Sequence, residues 1–275
     1  TIFVCATPIG NLEDCTFRLI ETLKSVAIIA AEDTRVTQGL LKTFKIKTPL
    51  LSLQKFNETQ RCKTLLKRLT AGESIAIVSD AGTPNICDPG AFCITYMRQY
   101  DIPIVPIPGP SSLTTLLSVS GILANQFYFG GFFPKTVSEY DAKRSQLVGL
   151  GCPVVFFETA KRLERTLEWL TRDYPESLIV IGKELTKQFE TIIVGDIKRV
   201  KDQLTDIPLK GEFCLILQLE NQQAESDREQ AWFEEFKSHH LTVKQAIGMG
   251  EKLGIAKNKI KNFYYSAAKV SSKGD

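Results

Sequence analysis

The stretch Ile75-Ala76-Ile77-Val78-Ser79-Asp80-Ala81-Gly82-Thr83-Pro84, running on to Asp88-Pro89-Gly90, is an apolar run that ends in an acid and breaks into a glycine- and proline-rich turn. The run Ile75–Ser79 is a candidate strand. Residues 89–99 read as a helix, so the whole stretch is strand, loop, helix. Asp88-Pro89 is the expected helix start, an N-cap before a proline at the first helical position. A tight turn with a cap accounts for Asp88 and Pro89 but leaves the placement of Asp80 unexplained.

The same unit recurs on both sides of this stretch. Strands are expected at Ile2–Ala6, Val26–Ala31 and Pro103–Ile107, with helical patterns near 14–24, 35–43, 57–70 and 111–119. Asn57-Glu58-Thr59-Gln60 fits a capping box. Such βα alternation predicts an α/β fold with a mainly parallel sheet and helices on its faces. A second block begins near Ile122. Its strands are expected at Phe127–Phe132, Val154–Glu158, Leu178–Gly182, Thr191–Val194 and Phe213–Leu219, its helices at 137–149, 161–172 and 196–204. Strands as closely spaced as 178–182 and 191–194 predict a mixed sheet. Polar Asn221–Asp227 reads as a linker. Three short helices are expected beyond it, at 228–238, 243–253 and 258–270, with a capping box at Thr242-Val243-Lys244-Gln245 and a stop at Gly254. The expected division is an N-terminal α/β domain at 1–120, a second α/β domain at 121–222 and a basic helical tail at 223–275.

Composition narrows the class. The chain has 275 residues, 43% hydrophobic and 24% charged, enough for one large or two medium domains. No apolar run approaches the roughly 18 residues of a membrane span, so no membrane role is expected. Thr1–Ala6 reads as a strand rather than a signal segment. The seven cysteines form no CxxC pair, and the two histidines are adjacent at His239-His240. Neither a disulfide framework nor a metal site is expected, and a reducing cytoplasm fits best. Charge is uneven: of a net +3, residues 237–275 hold eight lysines against Glu251 and Asp275. That is a solvated helical face or a phosphate-contacting patch.

Two further loops repeat the strand–loop–helix setting: Ala6-Thr7-Pro8-Ile9-Gly10-Asn11 and Pro108-Gly109-Pro110-Ser111-Ser112. The second also reads as a rigid turn with a serine N-cap. All three loops lie at carboxyl ends of strands, the edge where open α/β sheets bind ligands. Glu32-Asp33, about 20 residues past the first loop, stands where a dinucleotide domain holds a ribose. The glycine-rich partner loop of such a domain is absent.

Taken in order, Ala6–Leu12, Ala31-Glu32-Asp33-Thr34-Arg35, Asn57-Glu58, Ser79–Pro84, Asp88–Gly90, Pro108–Ser111, Gly131-Phe132-Phe133-Pro134, Lys183-Glu184-Leu185-Thr186-Lys187 and Lys210-Gly211-Glu212-Phe213 resemble the tetrapyrrole methylase superfamily. The likeness is to its branch that methylates small-subunit ribosomal RNA. It implies a two-domain fold with S-adenosyl-L-methionine in the cleft, usually a homodimer, and 2′-O-methylation of a cytidine in 16S rRNA, free or in the small subunit, with no DNA substrate. By the same resemblance the cofactor contacts fall on Pro8, Ile9, Gly10, Asp80, Ala81, Gly82, Thr83, Ser111 and Ser112, with Leu185 and Gly211 closing over the adenosine near Glu158. The chain departs from the pattern at Thr159-Ala160-Lys161-Arg162, where a histidine is customary, and at Lys183, where an arginine is.

The expected chemistry is in-line transfer to a hydroxyl that must lose its proton. Asp33, or a Lys187 of lowered pKa, is the expected base, and Arg35 the expected phosphate contact. The alternative for Glu32, Asp33 and Arg35 is an ion-pair network bracing the sheet edge. A tetrapyrrole C-methylase, a relative acting on a protein side chain, an NAD enzyme and a non-catalytic RNA-binding protein are the rival classes.

Overall fold

The computed structural model describes residues 1–204, 208, 210–219, 232, 233, 235, 236, 238, 239, 241–252, 257, 258 and 260–263. The chain divides into two compact units, Thr1–Leu219 and Glu220–Asp275.

The first unit holds two five-stranded sheets. The first sheet is built from β1 (Ile2–Cys5), β2 (Ile28–Ala31), β3 (Leu50–Ser52), β4 (Ile75–Val78) and β5 (Ile104–Ile107), in the order β3-β2-β4-β1-β5. Every pairing in it is parallel. Helices α1 (Phe17–Ser25), α2 (Thr34–Thr43), α3 (Glu58–Thr70) and α4 (Ala91–Arg98) connect the strands. Strand alternation sorts them onto two faces. Ile28, Ala30, Ile75 and Ile77 pack on Leu65 and Leu69 of α3 and Met97 of α4, while Ile29, Ala31, Ala76 and Val78 pack on Leu19 and Leu23 of α1 and Leu41 of α2. The chain thus builds outward through β2 and β3, then returns through β4 to β5 across β1. That reversal puts a switch point at the centre of the sheet, between β1 and its neighbours.

The second sheet contains β6 (Tyr128–Phe132), β7 (Val154–Thr159), β8 (Leu178–Lys183), β9 (Thr191–Asp196) and β10 (Glu212–Gln218), in the order β6-β7-β10-β8-β9. It is mixed: β6 runs parallel to β7, and the other pairings are antiparallel. Helices α6 (Val137–Gly149), α7 (Ala160–Asp173) and α8 (Ile197–Gln203) cover one face through Leu147, Leu163, Leu167, Leu170, Ile197 and Val200. The other face is covered by α5 (Ser112–Val119), the helix that follows β5. Its Leu116 is fully buried with Val155, Val180, Cys214 and Ile216, and Ile9 and Leu185 join the same cluster.

Three local expectations are corrected. Strand β3 has no counterpart in the sequence reading. Asn57 does precede α3, but its side chain makes no cap hydrogen bond; Oδ1 accepts from the Gln54 amide at 2.9 Å instead. Asp88-Pro89 does not open α4: the cap is Gly90, at a φ of 122°, and Glu58 of α3 supplies the carboxylate that accepts from the Cys93 amide at 2.9 Å.

In the second unit, helix α9 (Val243–Lys252) carries the expected capping box, with Thr242 N–H on Gln245 Oε1 at 3.0 Å. Phe233, Phe236, Ala246 and Ile260 form its small core. The linker Asn221–Asp227, Gly254, and much of the flanking helical patterns at 228–238 and 258–270 lie outside the described residues. No described helix is long and apolar enough to cross a membrane.

Candidate active site

The three loops predicted to converge are fastened to one another. Thr7 N–H donates to Gly82 O at 2.9 Å and Gly82 N–H returns to Thr7 O at 3.1 Å. Thr7 Oγ1 donates to Ser79 O at 3.2 Å, and Thr83 Oγ1 to Pro110 O at 3.3 Å. Gly82 makes the close turn possible with a φ of 75°. Opposite these loops stand the ends of β7, β8 and β10. A cavity of about 360 Å³ lies between, in the size range of small-molecule and cofactor sites.

Of the residues singled out in the sequence, Ile9, Asp80, Ala81, Gly82, Thr83, Ser111, Ser112, Leu185 and Lys187 line this cavity. Ser111 occupies the N-cap position of α5, yet its hydroxyl makes no cap bond. Pro8, Gly10, Gly211, Asp33 and Arg35 are not in the lining. Gly10 is a contact point instead: a Cβ there would collide with Lys187 Cγ. Gly211, at a φ of 89°, leaves space for the Glu184 carboxylate.

The lining carries six carboxylates, Glu32, Asp80, Asp88, Glu158, Glu184 and Glu212, against the single ammonium of Lys187. Three of the six are ion-paired, with two of them sharing one ammonium. Glu158 pairs with Arg162 at 2.6 Å, and Lys187 lies 3.0 Å from both Glu184 and Glu212. Glu32, Asp80 and Asp88 take part in no ion pair among the described residues. Burial raises the pKa of all three, and mutual repulsion adds to it: Asp88 and Asp80 act on Glu32, Asp80 on Asp88, and Asp33 on Asp80. Lys55 offsets part of this for Glu32 and Asp88, and Arg35 for Asp80, but a concave, partly dry site with three carboxylates outside any ion pair still favours a cationic occupant.

The expected bases are altered by this geometry. Burial of Lys187 disfavours its charge, but hydrogen bonds to Glu184 and Glu212 outweigh that and hold its pKa above the usual lysine value. The lowered pKa expected for it is therefore corrected: Lys187 is an ammonium tying the loop after β8 to the start of β10. Asp33 caps α2 through the Arg35 amide at 2.9 Å, and its carboxylate is gripped by the Arg35 side chain at 2.6–3.2 Å. Those bonds hold its pKa down at about 2, far too low for an efficient base near neutrality. Asp33 also donates its amide to Asp80 Oδ1 at 2.8 Å, so it positions a lining carboxylate. Arg35, 89% exposed, stands outside the cavity.

Several lining residues escaped the sequence reading as site residues: Asp88, taken for a cap, and Ile86, Cys87, Phe132 and Phe157. The one sequence signal for Phe132 is the glycine pair Gly130-Gly131 just before it, unusual inside a strand.

Residues 1–201 match the family model described as tetrapyrrole (corrin/porphyrin) methylases. The chain belongs to the tetrapyrrole methylase family. This methylase is 36% identical to the ribosomal RNA small subunit methyltransferase I of Bacillus subtilis, an alignment covering 97% of this chain and 93% of the relative. Among solved structures it shares its fold with a cobalt precorrin-4 methyltransferase, at a TM-score of 0.60 and 15% identity over 78% of this chain and 93% of the other. It also resembles a Thermus thermophilus uroporphyrin-III C-methyltransferase complexed with S-adenosyl homocysteine, at a TM-score of 0.55 and 14% identity over 78% and 96%. Those two identities speak to the fold alone.

Proposed function

We propose that this methylase transfers the methyl group of S-adenosyl-L-methionine to the 2′-hydroxyl of a cytidine in 16S rRNA, acting on the small ribosomal subunit or its RNA. The observation that carries the cofactor is the excess of unpaired carboxylates in the cleft at the switch point. A sulfonium is a cation, and Glu32, Asp80 and Asp88 favour it over the neutral sulfide left after transfer. The acceptor is supported by the near full-length identity to a protein named for small-subunit rRNA. The homodimer and the cytoplasmic location implied by the resemblance belong to the same reading.

The bound cofactor supplies an already activated methyl group. The loop 80–83 and the hydroxyls of Ser111 and Ser112 hold its polar end, while Ile9 and Leu185 give the apolar surface that an adenosine needs. Pro8 and Gly10 act by shaping the β1 loop, and Gly211 by seating Glu184. Lys187 bridges Glu184 and Glu212 and keeps the second wall in place. Asp33 orients Asp80. Arg35, at the rim, holds a phosphate of the acceptor strand. Proton removal falls to Glu32, which adjoins Asp33 in sequence, lines the cavity and has a pKa raised chiefly by burial.

Methyl transfer from labelled S-adenosyl-L-methionine to 30S particles, naked 16S rRNA and a porphyrinogen tests this. Label is expected in the ribosomal substrate, at a linkage that resists alkali as a 2′-O-methyl ribose does. Label in the porphyrinogen alone would replace this reading with tetrapyrrole C-methylation.

A further inference from the structure

Strand β6 shifts register against β7 between Phe129 and Phe132, and Gly130-Gly131 makes the irregularity. Gly131 has a φ of 71°, and a Cβ on Gly130 would overlap the Phe156 ring. A bulge re-aims the side chains beside it, and bulges gather next to active sites. Here Phe132 lines the cavity with 48% of its surface exposed. The ring is braced on one side. Phe157 meets it edge-on, centroids 5.8 Å apart at 69°. The next residue is pinned at both ends: Phe133 N–H donates to Phe157 O at 3.0 Å, and Arg162 Nη1 donates to Phe133 O at 3.3 Å. Arg162 is itself locked on the buried Glu158. Ile86, 37% exposed, adds a second apolar surface to the same cavity.

We propose that Phe132 is the stacking plate for the acceptor nucleobase, which enters the cleft on a nucleotide turned out of its helix. The inference rests on the reading of the acceptor as RNA. The lining decides which part of a nucleotide comes in. Six carboxylates against one ammonium repel a phosphodiester, so the backbone stays at the rim. The uncharged base and its ribose are what the cleft accepts. A fixed aromatic ring suits a base because every base has a π-face, and enzymes reach buried nucleotide atoms by extruding the target.

The full chain carrying Phe132→Ala, Phe132→Tyr or Phe132→Leu is assayed on 30S particles, with affinity for S-adenosyl-L-methionine measured by calorimetry. The expected result for Phe132→Ala is a fall in kcat/KM for the ribosomal substrate of roughly 10- to 100-fold, with cofactor affinity unchanged. Phe132→Tyr keeps most of the activity, and Phe132→Leu falls between. Unchanged kcat/KM in Phe132→Ala would overturn the proposal while leaving the function intact. So would a matching loss of cofactor affinity, which assigns the ring to the adenine of the cofactor or to the fold of the cleft. A wild-type enzyme inert on 30S particles and on naked rRNA overturns the function, and the proposal with it.

Discussion

At the scale of single residues, the cleft works through carboxylates that its surroundings have sorted into two kinds. Those at the second sheet are ion-paired with Arg162 or Lys187; those at the first sheet are in no ion pair and repel one another, with Lys55 and Arg35 offsetting only part of it. The consequence for Asp88 can be signed. Its folded-state pKa is raised, so it favours the fold below the ordinary carboxylate range, and that contribution is lost as pH rises through the folded value. At pH 7 an ionised Asp88 is a cost. Asp88→Asn in the cofactor-free protein is expected to raise stability by less than about 1 kcal/mol, because solvent screens a half-exposed carboxylate, the usual trade at a functional site. Urea denaturation at pH 7 measures it, and the advantage should shrink toward pH 4. The same variant should bind S-adenosyl-L-methionine more weakly and discriminate less between it and S-adenosyl homocysteine. This sorting could be read only partly from sequence. Asp80 stood out because an acid closing an apolar strand needs a reason. Lys187 and Asp33 were placed near the chemistry, but their ion pairs depend on Glu212, 25 residues beyond Lys187, and on the local fork of Arg35, so their protonation did not follow from the motif.

At the scale of elements, periodicity and turn chemistry located nine of the ten strands among the described residues, because each is an apolar run bounded by a breaker. Strand β3 is three residues long and half-buried throughout, too short for any pattern to register. Helix starts were less legible when the cap comes from elsewhere. Thr242 and Gln245 form a contiguous signal and cap α9 as expected. Helix α4 is capped by Glu58, 35 residues before Cys93, a partnership no local motif encodes. Glu58 is 8% exposed, so removing its carboxylate strands a buried amide. Glu58→Ala is expected to destabilise the protein by about 1–3 kcal/mol, and Glu58→Gln, which keeps an acceptor, by less. The urea midpoints of the two variants check this ordering. The mixed order of the second sheet was foreseen from strand spacing, whereas the bulge that aims Phe132 needed the neighbouring Phe156 ring to explain its glycines.

At the scale of the whole molecule, acid sits in the cleft and base at the end of the chain. In the reading proposed above, the cleft favours a cation, and the lysines of residues 237–275 are expected to contact the phosphates that the cleft turns away. Lys257 and Lys261 lie in the second unit, the former exposed; Lys259 lies outside the described residues. Replacing these three by glutamine should weaken binding to ribosomal RNA. It should also lower the slope of log affinity against log salt by about 0.7–0.9 for each phosphate no longer neutralised. Filter binding across a salt series measures both, and an unchanged slope would assign the lysines to a merely solvated face. This division of charge was visible in the sequence as a count; where the acids would gather was not. Helix α5 is the other feature that chain order conceals. It follows the last strand of the first sheet, yet Leu116 is buried against the second. Each half therefore keeps part of its hydrophobic seal in the other's keeping. A cut near residue 120 would leave one half carrying a greasy, homeless helix and the other with a bare sheet face.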